Sequence, residues 1–374
     1  MKRAQRVWVV AATVVAVTVG STGAFAVPGG QQAPERRPLQ ARLDAVVGTG
    51  AVGALAEVRG GHGVWRGTSG VAELGTTRAV AARSHFRIGS ITKTFVATVV
   101  LQLVDEGELR LDDTVGTWLP GAVPGGDRMT VRQLLNHTSG VYDYVSTLPM
   151  PPGREFVENR RRTWTPDELV HRAVVNPPSV DPPGSGYSYS NTGYILLGQI
   201  VEKATGRSYA EEIERRIIEP LRLRHTSLPG TSPRIPQPRP RAYLPVEPGG
   251  TTHPTDYTAM NPSVFGASGE MISTAADLNE FVGALLDGRL LPARLLEEMK
   301  RPAVDGKAYG LGLARRETTC GVRVYGNDGD TLAYQAWAFA TEDGSRRFTV
   351  ALTSDHPRDP GEAVDALLDA AFCD

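Results

Sequence analysis

The residues best placed for covalent chemistry are Ser90 and Lys93, in the stretch FRIGSITKTFVATVVLQLVDEG. If the segment is helical, a spacing of three puts both side chains on one face. At a helix start, Ser90 Oγ would sit in a field favouring negative charge, with backbone N–H groups available to an oxyanion. A buried Lys93 would hold its proton less tightly through desolvation and could accept the proton of Ser90. The plain alternative is a capping Ser and a solvated Lys. Against it, the residues after Lys93 are almost all apolar for a dozen positions, and only five of the 40 Lys and Arg residues are Lys. Arg cannot serve as a base, and S-x-x-K occurs nowhere else in the chain.

Two further stretches carry polar groups at suggestive spacing. In SGYSYSNTGYILLG, Tyr189 and Asn191 stand two residues apart just before a helical pattern, so a phenol and a carboxamide could share a cleft. A polar cap on that helix explains them equally, and Tyr325-Gly326-Asn327 repeats the spacing. In VYGNDGDTLAYQAWAF, Asn327-Asp328-Gly329-Asp330 lies between apolar runs. Asp-Gly between strand-like runs is a strong hairpin signal, so locally this reads as a tight turn.

The elements that would position these groups come from both ends of the chain. VGALAEVRGGHGVWRGTSGVAEL reads as two strands around Gly60-Gly61, and residues 333–354 as a hairpin around Glu342-Asp343-Gly344. Between them lie helical patterns over Thr92 to Asp105, TVRQLLNHT, TPDELVHRAVV, GYILLGQIVEKATG and ADLNEFVGALLDG. Thr165-Pro166-Asp167-Glu168 combines a capping Thr, Pro at the first helical position and Glu at the third. The expected fold is α/β of the α+β kind: a largely antiparallel sheet built from both termini, flanked by helices, with a helical lobe inserted over roughly residues 105–265. Residues near 90, 190 and 328 would then meet where lobe and sheet join. The Pro-rich stretch 228–262 is expected to border that place, and Tyr142 and Tyr144 are candidates to line it.

Composition sets the outer limits. A chain of 374 residues, 41% hydrophobic, can bury a large core. A net charge of −1 offers no basic face to nucleic acid. The seven His are scattered without HExxH, so no metal site is expected, and acyl transfer by a Ser–Lys pair would require no cofactor. Lys2, Arg3 and Arg6 precede an uncharged apolar stretch, Val7 to Val19, and then Ala24-Phe25-Ala26. This predicts a signal peptide over residues 1–26, a disordered leader over 27–40, a domain over 41–374, and a secreted protein. In an oxidising compartment Cys320 and Cys373 are expected to form a disulfide.

Together, in this order, the motifs resemble those of the penicillin-recognising serine hydrolases. The likeness is strongest to the class C β-lactamase-like branch and its secreted actinobacterial D-alanyl-D-alanine carboxypeptidases. It runs from about residue 41 to the end. It rests on Ser90-Ile91-Thr92-Lys93 and Tyr189-Ser190-Asn191, supported by LQLVDEGELRLDD, MTVRQLLNHTSGVYDY, PGSGYSYSNTGY, YGLGL and CGVRVYG. The placing of the two Cys is similar to that relative's single disulfide. The resemblance implies that Ser90 is the acyl-enzyme nucleophile, Lys93 its base, Tyr189 the proton carrier to the leaving amine, and Asn191 a ligand of the substrate amide. It places the third family motif, a His- or Lys-led triad on a site-lining strand, at Asn327-Asp328-Gly329, with the Asp330 backbone N–H joining that of Ser90 in an oxyanion hole.

Here the sequence departs from the pattern: Asn327 replaces the cation, and Asp328 and Asp330 stand where relatives carry Thr, whose hydroxyl meets a substrate carboxylate. The expected activity is that of an exported D-alanyl-D-alanine carboxypeptidase or transpeptidase, acting as a monomer on small peptidoglycan-like peptides, with β-lactams as candidate acylating agents. The alternatives are a D-aminopeptidase, amidase or esterase with a changed third motif, or a non-hydrolytic penicillin-binding sensor.

Overall fold

The computed structural model describes residues 37–247, 253–354 and 360–373. The expected signal peptide and most of the expected leader lie outside the described residues. Helix α1 begins at Arg37 and runs to Gly48, so the last four residues assigned to the leader are helical instead. Among the described residues no helix is long and apolar enough to cross a membrane.

The core is one six-stranded sheet. Strands β1 (Ala51–Gly60) and β2 (Gly63–Gly70) come from the N-terminal end. Strands β3 (Ala314–Glu317), β4 (Arg323–Asp330), β5 (Tyr334–Thr341) and β6 (Arg347–Ser354) come from the C-terminal end. The spatial order is β2-β1-β6-β5-β4-β3, antiparallel throughout. Both hairpins fall where turn chemistry places them, although β2 stops four residues before the expected end. The local turn reading of Asn327 to Asp330 gives way to the site-lining strand that the resemblance implies: these residues end β4, and the turn is made by residues 331–333. Apolar residues from Val324 through the alternating face of β5 outweigh the local Asp-Gly signal by pairing Asp328 with Trp337 and Asp330 with Gln335.

Helices cover both faces, so β6 is buried along six consecutive residues. On one face Trp337, Phe339, Phe348 and Val350 pack under α1 and the C-terminal helix α5 (Gly361–Cys373). On the other, Ala336, Ala338 and Ala340 of β5 belong to the larger core. Their small side chains let helix α4 (Ala275–Leu286) sit close to the strand. Phe281 of α4 stacks on Phe95 of helix α2 (Thr92–Asp105), ring centroids 3.5 Å apart.

Between the sheet's two halves the chain forms the helical lobe, including helix α3 (Asn191–Thr205). The expected cap is present: Thr165 Oγ1 accepts from Glu168 N, and the Glu168 carboxylate accepts from Thr165 N. Cys320, just ahead of β4, is bonded to Cys373 at the end of α5. The Pro-rich stretch contains a short ribbon, Tyr243–Val246 against His253–Asp256. None of its described residues lines the cleft below. It is instead held to the body by buried Arg87, whose guanidinium donates to the carbonyls of Pro233, Thr258 and Met260.

Candidate active site

Ser90 sits on a single 3₁₀ turn, Gly89–Ile91, that runs directly into α2. The turn requires glycine twice. Gly89 has φ +50°, and a Cβ there would lie 2.5 Å from Asp330 N. A Cβ on Gly329 would lie 1.9 Å from Ile88 O and 2.7 Å from Ser90 N. The end of β4 is therefore pressed against the serine turn, bringing the backbone N–H groups of Ser90 and Asp330 to one place, as an oxyanion pair requires.

Lys93, on the first turn of α2, is fully buried. Its Nζ donates to Ser90 Oγ (2.9 Å), Asn191 Oδ1 (2.8 Å) and Ser268 O (2.7 Å). All three acceptors are uncharged. Burial brings the Lys93 pKa down to about 7, partly offset by the carboxylates of Asp143 and Asp328. Near neutral pH a large share of Lys93 is thus the free amine, able to take the Ser90 proton. The Tyr189 hydroxyl lies 2.7 Å from Ser90 Oγ. Tyr189 is 38% exposed, yet desolvation, with Tyr309 beside it, holds its pKa well above the ordinary value. Tyr189 therefore keeps its proton, which suits a donor to a leaving group and not a base.

Asn191 opens α3 and faces the cleft, but its polar atoms are engaged behind it. Its Oδ1 accepts from Lys93. Its Nδ2 donates to Asp143 at 3.0 and 3.3 Å, and its backbone N donates to Asp143 Oδ1 at 3.1 Å. Burial raises the Asp143 pKa, opposed by these bonds.

The third motif divides its work. Asn327 is buried, its Nδ2 3.3 to 3.5 Å from Thr94 Oγ1, Ser90 O and Tyr309 OH. Asp330 turns its carboxylate back onto the hairpin, accepting from Leu332 N and from Gln335 Nε2 (3.1 Å). This Asx-type contact supports Leu332 at φ +72°. The Asp328 carboxylate is not tied back in this way: its side chain is 52% exposed, with Arg316 3.5 Å away.

The cleft has a volume of about 440 Å³, walled by Tyr187, Tyr189, Tyr309, Phe265, Val145 and Leu332. Its charged lining residues are Asp328 and Asp330, and no Lys or Arg lines it. Neither Tyr142 nor Tyr144 does so: Tyr144 is buried, donating to Val264 O. Sequence reasoning missed Asp143, Ser268, Tyr309 and His137. His137 sits at φ +60°. Its carbonyl accepts from Ser188 N (2.9 Å) and its Nδ1 from Ser190 N (3.2 Å), clasping the chain on either side of Tyr189. Its ring lies 4.2 Å from the Tyr189 ring, and burial keeps the imidazole neutral by lowering its pKa well below 6.5. Asp143 and His137 both lie in the HTSGVYDY stretch, whose density of polar residues between helices was the available signal. Among the described residues no three His, Cys, Asp or Glu cluster to hold a metal ion.

Comparison with known proteins gives the same picture. The Beta-lactamase family model matches residues 39–372. Penicillin-binding protein 4 of Amycolatopsis lactamdurans is 33% identical over 284 residues, 70% of each chain. The crystal structure of a D-stereospecific amidohydrolase from Streptomyces sp. superposes with a TM-score of 0.82 at 41% identity, covering 91% of this chain and 99% of that one. The D-amino acid amidase from Ochrobactrum anthropi SV3, complexed with D-phenylalanine, has a TM-score of 0.78 at 29% identity, covering 90% of this chain and 99% of its own.

Proposed function

The chain belongs to the Beta-lactamase family of serine hydrolases, and from that premise we propose that it hydrolyses D-aminoacyl amides or internal D-peptide bonds whose leaving group carries no carboxylate. The observation that carries this reading is the Asp328 carboxylate, half exposed in a cleft whose lining holds no Lys or Arg, its ion pair with Arg316 standing at 3.5 Å. A substrate carboxylate about 4 Å from Asp328 meets a repulsion of roughly 1 kcal/mol at the dielectric of water and about 4 kcal/mol at a surface value of 20. An amide in that place meets none. Likeness to a D-stereospecific amidohydrolase and a D-amino acid amidase supports the same substrate class.

Ser90 Oγ attacks the amide carbonyl, and its proton passes to Lys93 Nζ, 2.9 Å away. The oxyanion forms toward the Ser90 and Asp330 N–H groups. As the C–N bond breaks, Tyr189 gives its proton to the departing nitrogen and regains one from the Lys93 ammonium. Water then hydrolyses the ester and returns a proton to Ser90. The chemistry calls for no cofactor. The enzyme acts as a monomer outside the cytoplasm, its mature chain beginning at Val27, and N-terminal sequencing of protein from the culture medium checks that position.

The decisive test compares a D-Ala-D-Ala peptide with its C-terminal amide, beside Ser90→Ala. The amide is expected to be preferred by roughly fivefold to a thousandfold in kcat/KM, the range the repulsion allows, and Ser90→Ala to abolish both. A preference for the free acid overturns the proposal in favour of a carboxypeptidase.

A further inference from the structure

Asn191 is placed to bind either the substrate or the base, and a side chain outside the expected set decides between them. The Asp143 carboxylate takes both the backbone N–H and the side-chain amide of Asn191. A third bond, from Val145 N at 3.2 Å, fixes the carboxylate itself at the start of the Tyr144–Thr147 turn. With its nitrogen so occupied, Asn191 presents Oδ1 to Lys93 Nζ at 2.8 Å. A carboxylate accepts and cannot donate, so it holds the carboxamide in this one orientation. We propose that Asp143 is a positioning residue of the acylation step: it withholds the Asn191 amide from the substrate and turns the Asn191 oxygen onto Lys93, aiming the lysine at Ser90.

The proposal rests on the reading that Ser90 is acylated with Lys93 as its base. Lys93 is faced by few charged or titratable groups. They are Asp143 from the lobe, the phenols of Tyr189 and Tyr194 with ring centroids 5.0 and 5.5 Å from Nζ, the neutral imidazole of His137, and Asp328 from β4. Asp143 is the first of the two carboxylates that favour the lysine's charged form. Removing its charge therefore lowers the pH at which Lys93 becomes the free amine, while the lost aim slows the step at every pH.

Asp143→Asn, Asn191→Ala and the double variant test this with a D-aminoacyl ester or p-nitroanilide. Asp143→Asn is expected to lower kcat/KM roughly tenfold to a hundredfold, part of the 10² to 10⁴ that a positioned base contributes. KM stays near the wild-type value and the acid limb of the pH profile moves down. The double variant is expected to be no slower than Asn191→Ala, because the acid acts through that amide. Independent losses that multiply, a rise in KM alone, or an unmoved acid limb overturn the proposal. A readout without turnover separates it from the functional reading. In protein labelled with ¹³C at lysine Cε, assigned with Lys93→Arg, the Lys93 titration midpoint is expected to fall in Asp143→Asn. A shifted midpoint in a protein that hydrolyses nothing sinks the proposed function and keeps the role of Asp143. Ser90-dependent turnover with an unmoved midpoint does the reverse.

Discussion

At the acylation corner of the cleft, Ser90, Lys93, Tyr189 and Asn191 are joined by side-chain bonds of 2.7 to 2.9 Å. Asp143, Ser268 and His137 hold them from behind. At the third-motif corner, the Asn327 Nδ2 makes contacts of 3.3 to 3.5 Å, and Asp328 stands half exposed. In the proposed mechanism the first corner meets a group common to every substrate, the scissile carbonyl. Its geometry is over-determined, and its buried amine is held at a pKa that serves proton transfer. In the proposed reading the second meets whatever follows the scissile bond. There the backbone is constrained by its approach to Ser90, while the side chains are free to change the substrate. On that reading, chemistry and specificity are carried by different atoms of adjoining segments.

The sharpest way to break this contrast is Lys93→Met, expected to lower kcat/KM by roughly 10² to 10⁴, the contribution of a general base. Stability should move the other way with a marked pH dependence. Folded Lys93 binds its proton less tightly than the unfolded chain does, about 7 against an ordinary 10.5. Wild type therefore gains stability as pH rises through that window, and bears the full cost of burying the charge below it. The advantage of Lys93→Met over wild type in denaturant unfolding is expected to be wider at pH 7 than at pH 10 by roughly 3 kcal/mol. An equal advantage at both pH values would mean that Lys93 is not desolvated.

The second corner is sharpened by Asp328→Asn. With the repulsion removed, kcat/KM for a free-acid D-peptide is expected to rise by roughly fivefold to a thousandfold, and that for its amide to stay within about threefold. An equal loss on both substrates would give Asp328 a structural role. The smallest effect on catalysis is expected from replacing Cys320 and Cys373 together by Ser. The bond spans 53 residues, so unfolding free energy should fall by about 4 kcal/mol in the chain-entropy description. Cys320 lies ahead of β4, at the far end from Asn327, so kcat/KM below the melting transition should be unchanged. A large fall would show that the site depends on the anchoring of α5.

Much of the site was legible because its key pair is local. Ser90 and Lys93 are three residues apart at the start of a helix whose apolar run shows in the sequence, and α2 occupies the expected Thr92 to Asp105. Asp143 and Ser268 were not legible. Each reaches Lys93 or Asn191 across 48 to 175 residues of chain, and one of the two contributes only a carbonyl, which no residue type announces. The Pro-rich stretch misled for a related reason. Its irregular composition marks a loop but not which surface the loop covers, and the buried guanidinium of Arg87 sets that.

What the sequence determined by itself was what rests on neighbours along the chain: the capped helix after Thr165, the two hairpins, and the shared face of Ser90 and Lys93. The tertiary structure decided which form those groups take. Burial made Lys93 a base, because no acid touches it where it is enclosed. Asp143 set the orientation of Asn191. Asp328 and Asp330, two residues apart on one strand, would share a face by alternation. Yet the Leu332 N–H holds the Asp330 carboxylate against the hairpin, while that of Asp328 stands half exposed beside Arg316. Protonation state and hydrogen-bond choice depend on competition among groups far apart in sequence, and only the folded chain brings those competitors together.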